Sequence, residues 1–463
     1  MLELLVFAIS IVHIALCLKS IAYGCACMIA VKLLIPVIAR VGPVSLNTFI
    51  LIVLCFFIFI RNKHTLKDYW RRIAVFPFKY LALPLAVLGI AGVVPYINQI
   101  KGLVQFSVTE LLPFLIMIYA IKNDKDIKML TRVIVCSYIV IGIYSIFSYI
   151  IHFNPLILSF ATAFNYEGEY FYDYSEESAV RGVLTSRATG NQTGSISWGQ
   201  ITLVLLAWGL LSPNMKKNLP DFKVLKAGGI RFLFVAIALV NAFMTTKRST
   251  LVPVFFMIFV YIVRQGIKVK KIMCYSMIAF LLVGLCYSFS ETFRDFYESN
   301  IKTSIFFWND KLAEQQGLSG SNKEMRLHQV VYVNNLIENH FFMGLGYGYP
   351  EIHSQKYGNN SDALFFESLY LYAIASSGYI GLFIWLLFFY VNMKTTKKSF
   401  ANPLYNYLFH GSYMLSVFLT NISLSLSYYM ILSAFLARDR YTSNPQLSSS
   451  ASFLRLNVLS SLN

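Results

Sequence analysis

Apolar runs long enough to cross a hydrocarbon core roughly 30 Å thick recur along almost the whole chain, and no other feature restricts the fold as much. They lie near 2–18, 21–39, 44–60, 73–96, 103–121, 129–151 and 196–212, then near 230–245, 250–263, 272–289, 369–391, 404–420 and 422–437. In lipid each backbone N–H and C=O must be satisfied within the protein, so each run reads as a helix. The expectation is an all-α polytopic membrane protein of about 12–13 transmembrane helices. The count turns on Lys32 and Pro36, which interrupt the second run. Composition agrees: 57% hydrophobic residues against 13% charged cannot clothe several water-soluble domains. Residues 1–437 are therefore read as one membrane domain, and the polar, Ser-rich stretch 438–463 as a disordered cytoplasmic tail.

The formal net charge is +17, but its placement argues against a nucleic-acid partner. The basic residues gather in short loops: Arg61 to Arg72, Lys122 to Arg132, Lys216 to Arg231, Arg264 to Lys271 and Lys394 to Lys398. Alternate loops lack this excess, which is the positive-inside pattern and makes the basic loops cytoplasmic. Two long loops, 152–195 and 290–368, then face the outside. The first run has no basic segment ahead of it and no small-residue cleavage site, so it reads as a retained span or half-span. The seven cysteines lie in or beside apolar runs and suggest neither a disulfide framework nor a zinc site.

The outer loops carry the residues suited to chemistry. In the first, Glu167, Glu169, Asp173, Glu176 and Glu177 alternate with Tyr166, Tyr170, Phe171, Tyr172 and Tyr174. Carboxylates that accept from hydroxyls, beside rings that stack on C–H faces, suit a sugar; interfacial aromatics on a plain loop fit the pattern equally well. Arg187 opens an Arg-Ala-Thr-Gly-Asn segment just before an apolar run, where a guanidinium can grip a lipid-linked phosphate or snorkel to headgroups. Lys247 and Arg248 sit between two apolar runs on the outer side, against the charge rule, and call for an anionic ligand or an acid from another loop. Arg326 starts a helical stretch that leads to Gly344-Leu345-Gly346-Tyr347-Gly348, a run able to cradle phosphate through its N–H groups or to form a plain turn. Without a Lys-Ser/Thr ending it is no nucleotide P-loop. Asp362 and Glu367 precede the run that contains Gly378-Tyr379-Ile380-Gly381. Glu367 suits a general base, or a simple salt bridge to one of the arginines. His328, His340 and His353 lack metal-ligand spacing and read as surface histidines; no metal and no cofactor is expected.

In this order the segments resemble the O-antigen polymerase (Wzy type) and O-antigen ligase superfamily of bacterial inner-membrane enzymes, over about residues 40–437. Arg187 and Gly190 look like the family's Arg-x-x-Gly element, and Lys247-Arg248-Ser249 like its Ser-Arg-small turn with Lys247 for Ser. Arg326 and the glycine run look like its Arg helix and Gly-x-Gly-x-Gly motif. Ligases of the superfamily usually carry His-Asn eleven residues before the Gly that opens Gly-x-Ile-Gly, where this chain has Glu367-Ser368. That departure favours a polymerase.

The resemblance implies a C-type glycosyltransferase-like fold that joins oligosaccharide repeats carried on undecaprenyl pyrophosphate at the periplasmic face of the inner membrane. It assigns Arg187, Lys247, Arg248 and Arg326 to the pyrophosphate, Glu367 or Asp362 to proton abstraction, and Arg326 to the reaction itself. Membrane lipid and the pathway's chain-length regulator and flippase would be its partners. A ligase transferring the glycan to lipid A–core is the nearest alternative. A lipid-linked oligosaccharide flippase would need ionisable residues deep in its spans, and only Lys32, Lys79 and Glu110 qualify.

Overall fold

The computed structural model describes residues 1–61, 78–90, 92–151, 153–165, 188–212, 214–220, 226–265, 277, 281, 283–298, 323–357, 366–400, 402–421 and 425–442. Helix α1 (Leu2–Lys19) ends at Ser20, whose backbone is extended while its hydroxyl accepts from the N–H of Ala22 to start α2 (Ile21–Leu34). The first two runs are thus separate helices. Lys32 lies inside α2, which stops at extended Ile35 because that residue precedes Pro36. A two-residue hairpin, β1 (Arg40–Val41) and β2 (Val44–Ser45), turns the chain into α3 (Leu46–Arg61).

A π-turn over Phe78–Ala82 leads into α4 (Leu83–Ile90). Helices α5 (Tyr96–Phe106) and α6 (Leu112–Ala120) are joined by a second π-turn, Ser107–Leu111. Next come α7 (Asp124–Ile150), opened by an Asn123–Asp126 capping box, and α8 (Pro155–Ala163). After these follow α9 (Ser195–Leu211), α10 (Asn214–Asn218), α11 (Ala227–Met244), α12 (Arg248–Arg264) and α13 (Glu291–Phe296). The chain continues with α14 (Lys323–Leu336), α15 (Tyr349–Tyr357), α16 (Leu369–Thr396), α17 (Pro403–Leu419) and α18 (Leu426–Thr442).

This is an all-α, polytopic membrane architecture. The expected 12–13 full-length spans are not all met among the described residues. Five helices are long and apolar enough to cross a membrane, Leu2–Lys19, Tyr96–Ala120, Asp124–Ile150, Ala227–Met244 and Leu369–Ser399, and five apolar helices are shorter. Helix Ser195–Leu211 is among the shorter ones although it covers nearly the whole expected run 196–212, whereas α2 stops short of its run at the Ile35–Pro36 break. Helix α18 runs on to Thr442, past the expected start of the tail.

Helix α9 is the axis. Of its seventeen residues only Ile196 and Leu210 escape full burial, and α11, α12, α17 and α18 all pack on it. Small residues make the close approaches: Gly199 faces Thr250 of α12, Gly209 faces Phe234 of α11, and Gly142 of α7 faces Ile237. Between them Trp198 stacks on Tyr138 at 5.7 Å and donates to Asn241 Oδ1 at 3.1 Å.

Helix α16 is kinked at Gly378, which adopts φ 65° and breaks the helical ladder. The glycine run repairs it. The carbonyls of Ala375 and Ser376 accept from the N–H groups of Leu345 and Gly346, each at 2.9 Å. The N–H groups of Tyr379 and Ile380 donate to Phe341 and Phe342 at 3.1 and 3.3 Å. Four backbone bonds replace the two that the kink removes. Gly344 (φ 69°) has the backbone of Ser377 and Gly378 where a side chain would go, and Gly378 has the Phe342 carbonyl there. The Gly-Leu-Gly-Tyr-Gly segment is therefore a docking clasp. Its N–H groups at 345 and 346 are spent on α16, which excludes them from the phosphate cradle that the spacing allowed.

Gly378→Ala is expected to lower the thermal unfolding midpoint sharply or to prevent accumulation of monodisperse protein. Gly411→Ala, on α17 with open space around its Cα, is expected to be neutral or stabilising by up to about 1 kcal/mol. Unfolding curves of the two purified variants in detergent check both.

Candidate active site

One end of the bundle gathers the starts of α9, α12, α14, α16 and α18 and the end of α17. Arg326, in the first turn of α14, donates from Nη2 to the carbonyl of Leu419 at 3.1 Å and stands 3.6 Å from Glu367 Oε2. Leu419 is the last residue of α17, so the guanidinium caps a carbonyl that its own helix leaves unpaired. Glu367 precedes Ser368, the N-cap of α16, whose hydroxyl accepts from the N–H of Tyr370 at 3.2 Å. The carboxylate thus lies at the positive end of a helix dipole. Its Oε2 is shut from solvent without a hydrogen bond, although the two side chains as wholes remain 32% and 29% exposed. The cluster is sheltered and still reachable.

Arg248 is the first residue of α12, half-buried, and close enough to feel the charges of both Arg326 and Glu367. The turn before it is strained, since Thr246 holds φ 51°, a value that β-branched residues rarely adopt. That turn is fixed from two sides: Thr245 Oγ1 donates to Ala242, and the N–H of Ala188 donates to Met244 at 3.0 Å. Lys247 is the N-cap residue of α12. Two guanidiniums therefore lie within electrostatic reach of one carboxylate, with Lys247 next to one of them in the chain, an excess of positive charge suited to a diphosphate.

Of the residues singled out by sequence, Arg248, Arg326 and Glu367 come together and Lys247 adjoins them. Arg187 and Asp362 lie outside the described residues, as do residues 166–177 of the acid- and aromatic-rich loop. The salt-bridge reading of Glu367 holds geometrically. It is compatible with a role as base, because an arginine that fixes a carboxylate also orients it.

His353 corrects the expectation of surface histidines. Only 3% exposed, it is hydrogen-bonded through Nε2 to Tyr332 Oη at 2.8 Å and ringed by Tyr349 and Phe366. Burial, and then Lys356, hold its imidazole below the ordinary 6.5. It ties α15 to α14, the helix that carries Arg326.

Sequence reasoning undervalued a second buried network just inside the bundle. Glu110, on the π-turn Ser107–Leu111, accepts from the N–H of Ser427 at 2.7 Å and so caps α18. Lys32 lies within electrostatic reach of Glu110, with its ammonium 5.3 Å from the centroid of the Tyr428 ring. Asn191 donates to the carbonyls of Lys32 and Ile35 at 2.8 and 2.9 Å, which caps α2. Gln200, Ser425 and Tyr413 continue the network to the α17–α18 loop: Ser425 donates to Gln200 at 2.8 Å, and Gln200 to the Asn421 carbonyl at 3.2 Å. The signal was present in the sequence as two charges inside apolar runs.

The fold and this cluster define a multi-pass membrane protein with a cationic, carboxylate-bearing site at one end. Residues 233–386 match the family model described as O-antigen ligase (Wzy_C), a stretch that includes Arg248, Arg326, Glu367 and both glycine motifs. Over these residues the chain is similar to the enzymes of the O-antigen polymerase and ligase superfamily, as its motifs implied. No curated protein sequence matches the chain.

Two outcomes follow. Glu110→Ala and Lys32→Ala are each expected to cost about 3–5 kcal/mol, because either leaves a buried charge uncompensated. Glu110→Ala combined with Lys32→Met should cost clearly less than the sum, which a double-mutant cycle of unfolding measurements checks. For His353, the unfolded state binds more protons once pH falls below about 6.5, so this side chain's contribution is complete above that value and is lost as pH falls. Amide exchange in α14 and α15 should therefore accelerate from pH 7.5 to pH 5.5, and His353→Phe should flatten that dependence.

Proposed function

We propose that this protein polymerises oligosaccharide repeat units carried on undecaprenyl pyrophosphate, at the periplasmic face of the bacterial inner membrane. The observation that carries the reading is the convergence of Arg248 and Arg326 on Glu367 at the end of the bundle opposite the basic loops. The bond that breaks joins the anomeric carbon of the donor to its pyrophosphate, which leaves with the electron pair. Arg248 and Arg326 stabilise that developing charge, and the resemblance assigns Lys247 and Arg187 to the same task. Prepositioned donors in a sheltered site contribute several kcal/mol in such a step. The new bond forms from an acceptor hydroxyl of the second repeat unit, and its proton passes to Glu367, or to Asp362 in the same segment. General-base help of this kind supplies roughly 10²- to 10⁴-fold. The energy comes from the leaving group, so the scheme calls for no nucleotide.

A ligase is the second reading, favoured by the family description of residues 233–386. Against it stands Glu367-Ser368, eleven residues before Gly378, where the ligases usually carry His-Asn. A flippase fits less well, since Lys32 and Glu110 lie in one capping network.

Deletion of the gene in its host, with complementation by wild type, Arg326→Ala or Glu367→Ala, tests the reading on a gel of surface polysaccharide. The polymerase reading expects lipid A–core capped by a single repeat in the deletion. It also expects a ladder restored by wild type, with at least about a hundredfold loss of polymer for either variant at normal membrane levels. Complete loss of surface repeats, with full-length chains held on the carrier, would establish the ligase instead.

A further inference from the structure

The opposite end of the bundle, where the basic loops lie, contains a cavity of about 360 Å³ between the start of α7, the end of α9, α10 and the end of α18. Its rim carries Lys128, Lys217 and Asp124, and its floor includes Trp208 and Phe435, whose rings meet at 6.3 Å. Thr131 also lines it. That residue is 1% exposed, and its Oγ1 is a buried hydroxyl without a hydrogen-bond partner, one turn along α7 from Lys128. A buried hydroxyl left unmatched is costly, and a helical threonine would ordinarily turn it back on its own helix.

We infer that this cavity is a binding site for the headgroup of a membrane glycerophospholipid, with its phosphate on Lys128, Lys217 and Thr131. Three features select that class. Two lysines and a buried hydroxyl without a hydrogen-bond partner line the same cavity, a set suited to an anion. The cavity lies at the basic end of an apolar bundle, the end that the positive-inside rule assigns to the cytoplasmic leaflet and its anionic phosphates. Asp124 supplies an acceptor on the same rim, which suits a headgroup with a donor beyond its phosphate, the glycerol of phosphatidylglycerol or the ammonium of phosphatidylethanolamine. Phosphatidylcholine has no such donor. Trp208 and Phe435 would receive the first apolar atoms below the glyceryl ester. The occupant ties α7 to α9 and α18, and the site is independent of the glycan chemistry at the far end.

Native mass spectrometry of the full-length chain, with phosphatidylglycerol, phosphatidylethanolamine and phosphatidylcholine offered in equal amounts, tests the assignment. The wild type should retain one molecule of either of the first two in preference to the third. Lys128→Gln with Lys217→Gln should weaken retention roughly tenfold, while Lys398→Gln, which removes a charge at the same end but outside the cavity, should not. Thr131→Val keeps the shape and should weaken retention roughly threefold to tenfold, the size of one hydrogen bond. Because its hydroxyl has no partner in the empty site, this variant should melt no lower than wild type when lipid is absent, which separates a ligand contact from a structural one. Equal retention by wild type and the double variant would overturn the site. Equal retention of phosphatidylcholine would overturn the role of Asp124. Stabilisation by inorganic phosphate as large as that by the lipids would show that a soluble phosphate, not a headgroup, is the occupant.

Discussion

Helices that stop inside a membrane protein leave carbonyls and N–H groups that lipid cannot satisfy, and this requirement organises the molecule. Several of these ends are answered by a side chain from elsewhere in the chain. Arg231 of α11 donates to the Gly209 and Leu210 carbonyls at the end of α9, both at 2.8 Å. Asn191 closes α2, Glu110 opens α18, and Arg326 closes α17. The kink at Gly378 is the extreme case, where a whole segment of backbone stands in for the missing turn. These caps join residues far apart in sequence, so they fix helix ends relative to one another as well as satisfying them.

The candidate site is a by-product of the same rule. Arg326 and Glu367 occupy helix starts, and Arg248 begins a helix behind a strained turn. Charges placed there are held by rigid elements, with short backbone stems and little freedom to drift. The clasp between the glycine run and α16 lies between Arg326 and Gly378 in the chain, so the distance from Arg326 to Glu367 depends on it. The two glycine motifs thus act on the site through geometry. Likewise the Lys32–Glu110 network reaches the α17–α18 loop, whose first residues adjoin the carbonyl that Arg326 caps.

Much of this was legible beforehand. Apolar runs announced helices, and loop charge announced which ends share a side. Arg248, against the charge rule, and Arg326 and Glu367, at the mouths of elements, stood out by position. Other features resisted. Gly344 and Gly346 in isolation read as a plain turn or a phosphate cradle, because spacing cannot say whether an N–H is already engaged. His353 read as a surface residue, because its cover comes from Tyr332, Tyr349 and Phe366, twenty-one, four and thirteen positions away. The second apolar run extends to residue 39, because hydrophobicity continues past the Ile35–Pro36 break that α2 does not cross.

The sequence by itself determined the solvent, the secondary structure, which loops share an end of the bundle and the types of charge available for chemistry, since all of these follow from local composition and from the energy of burying backbone in lipid. Only the tertiary structure decided which of those charges meet. It paired Arg326 with Glu367, brought Lys32 to Glu110, spent the glycine run on α16 and left Thr131 facing a cavity. Pairings of that kind depend on where helices end in three dimensions, and that is set by contacts between residues as many as 396 positions apart, which no local pattern encodes.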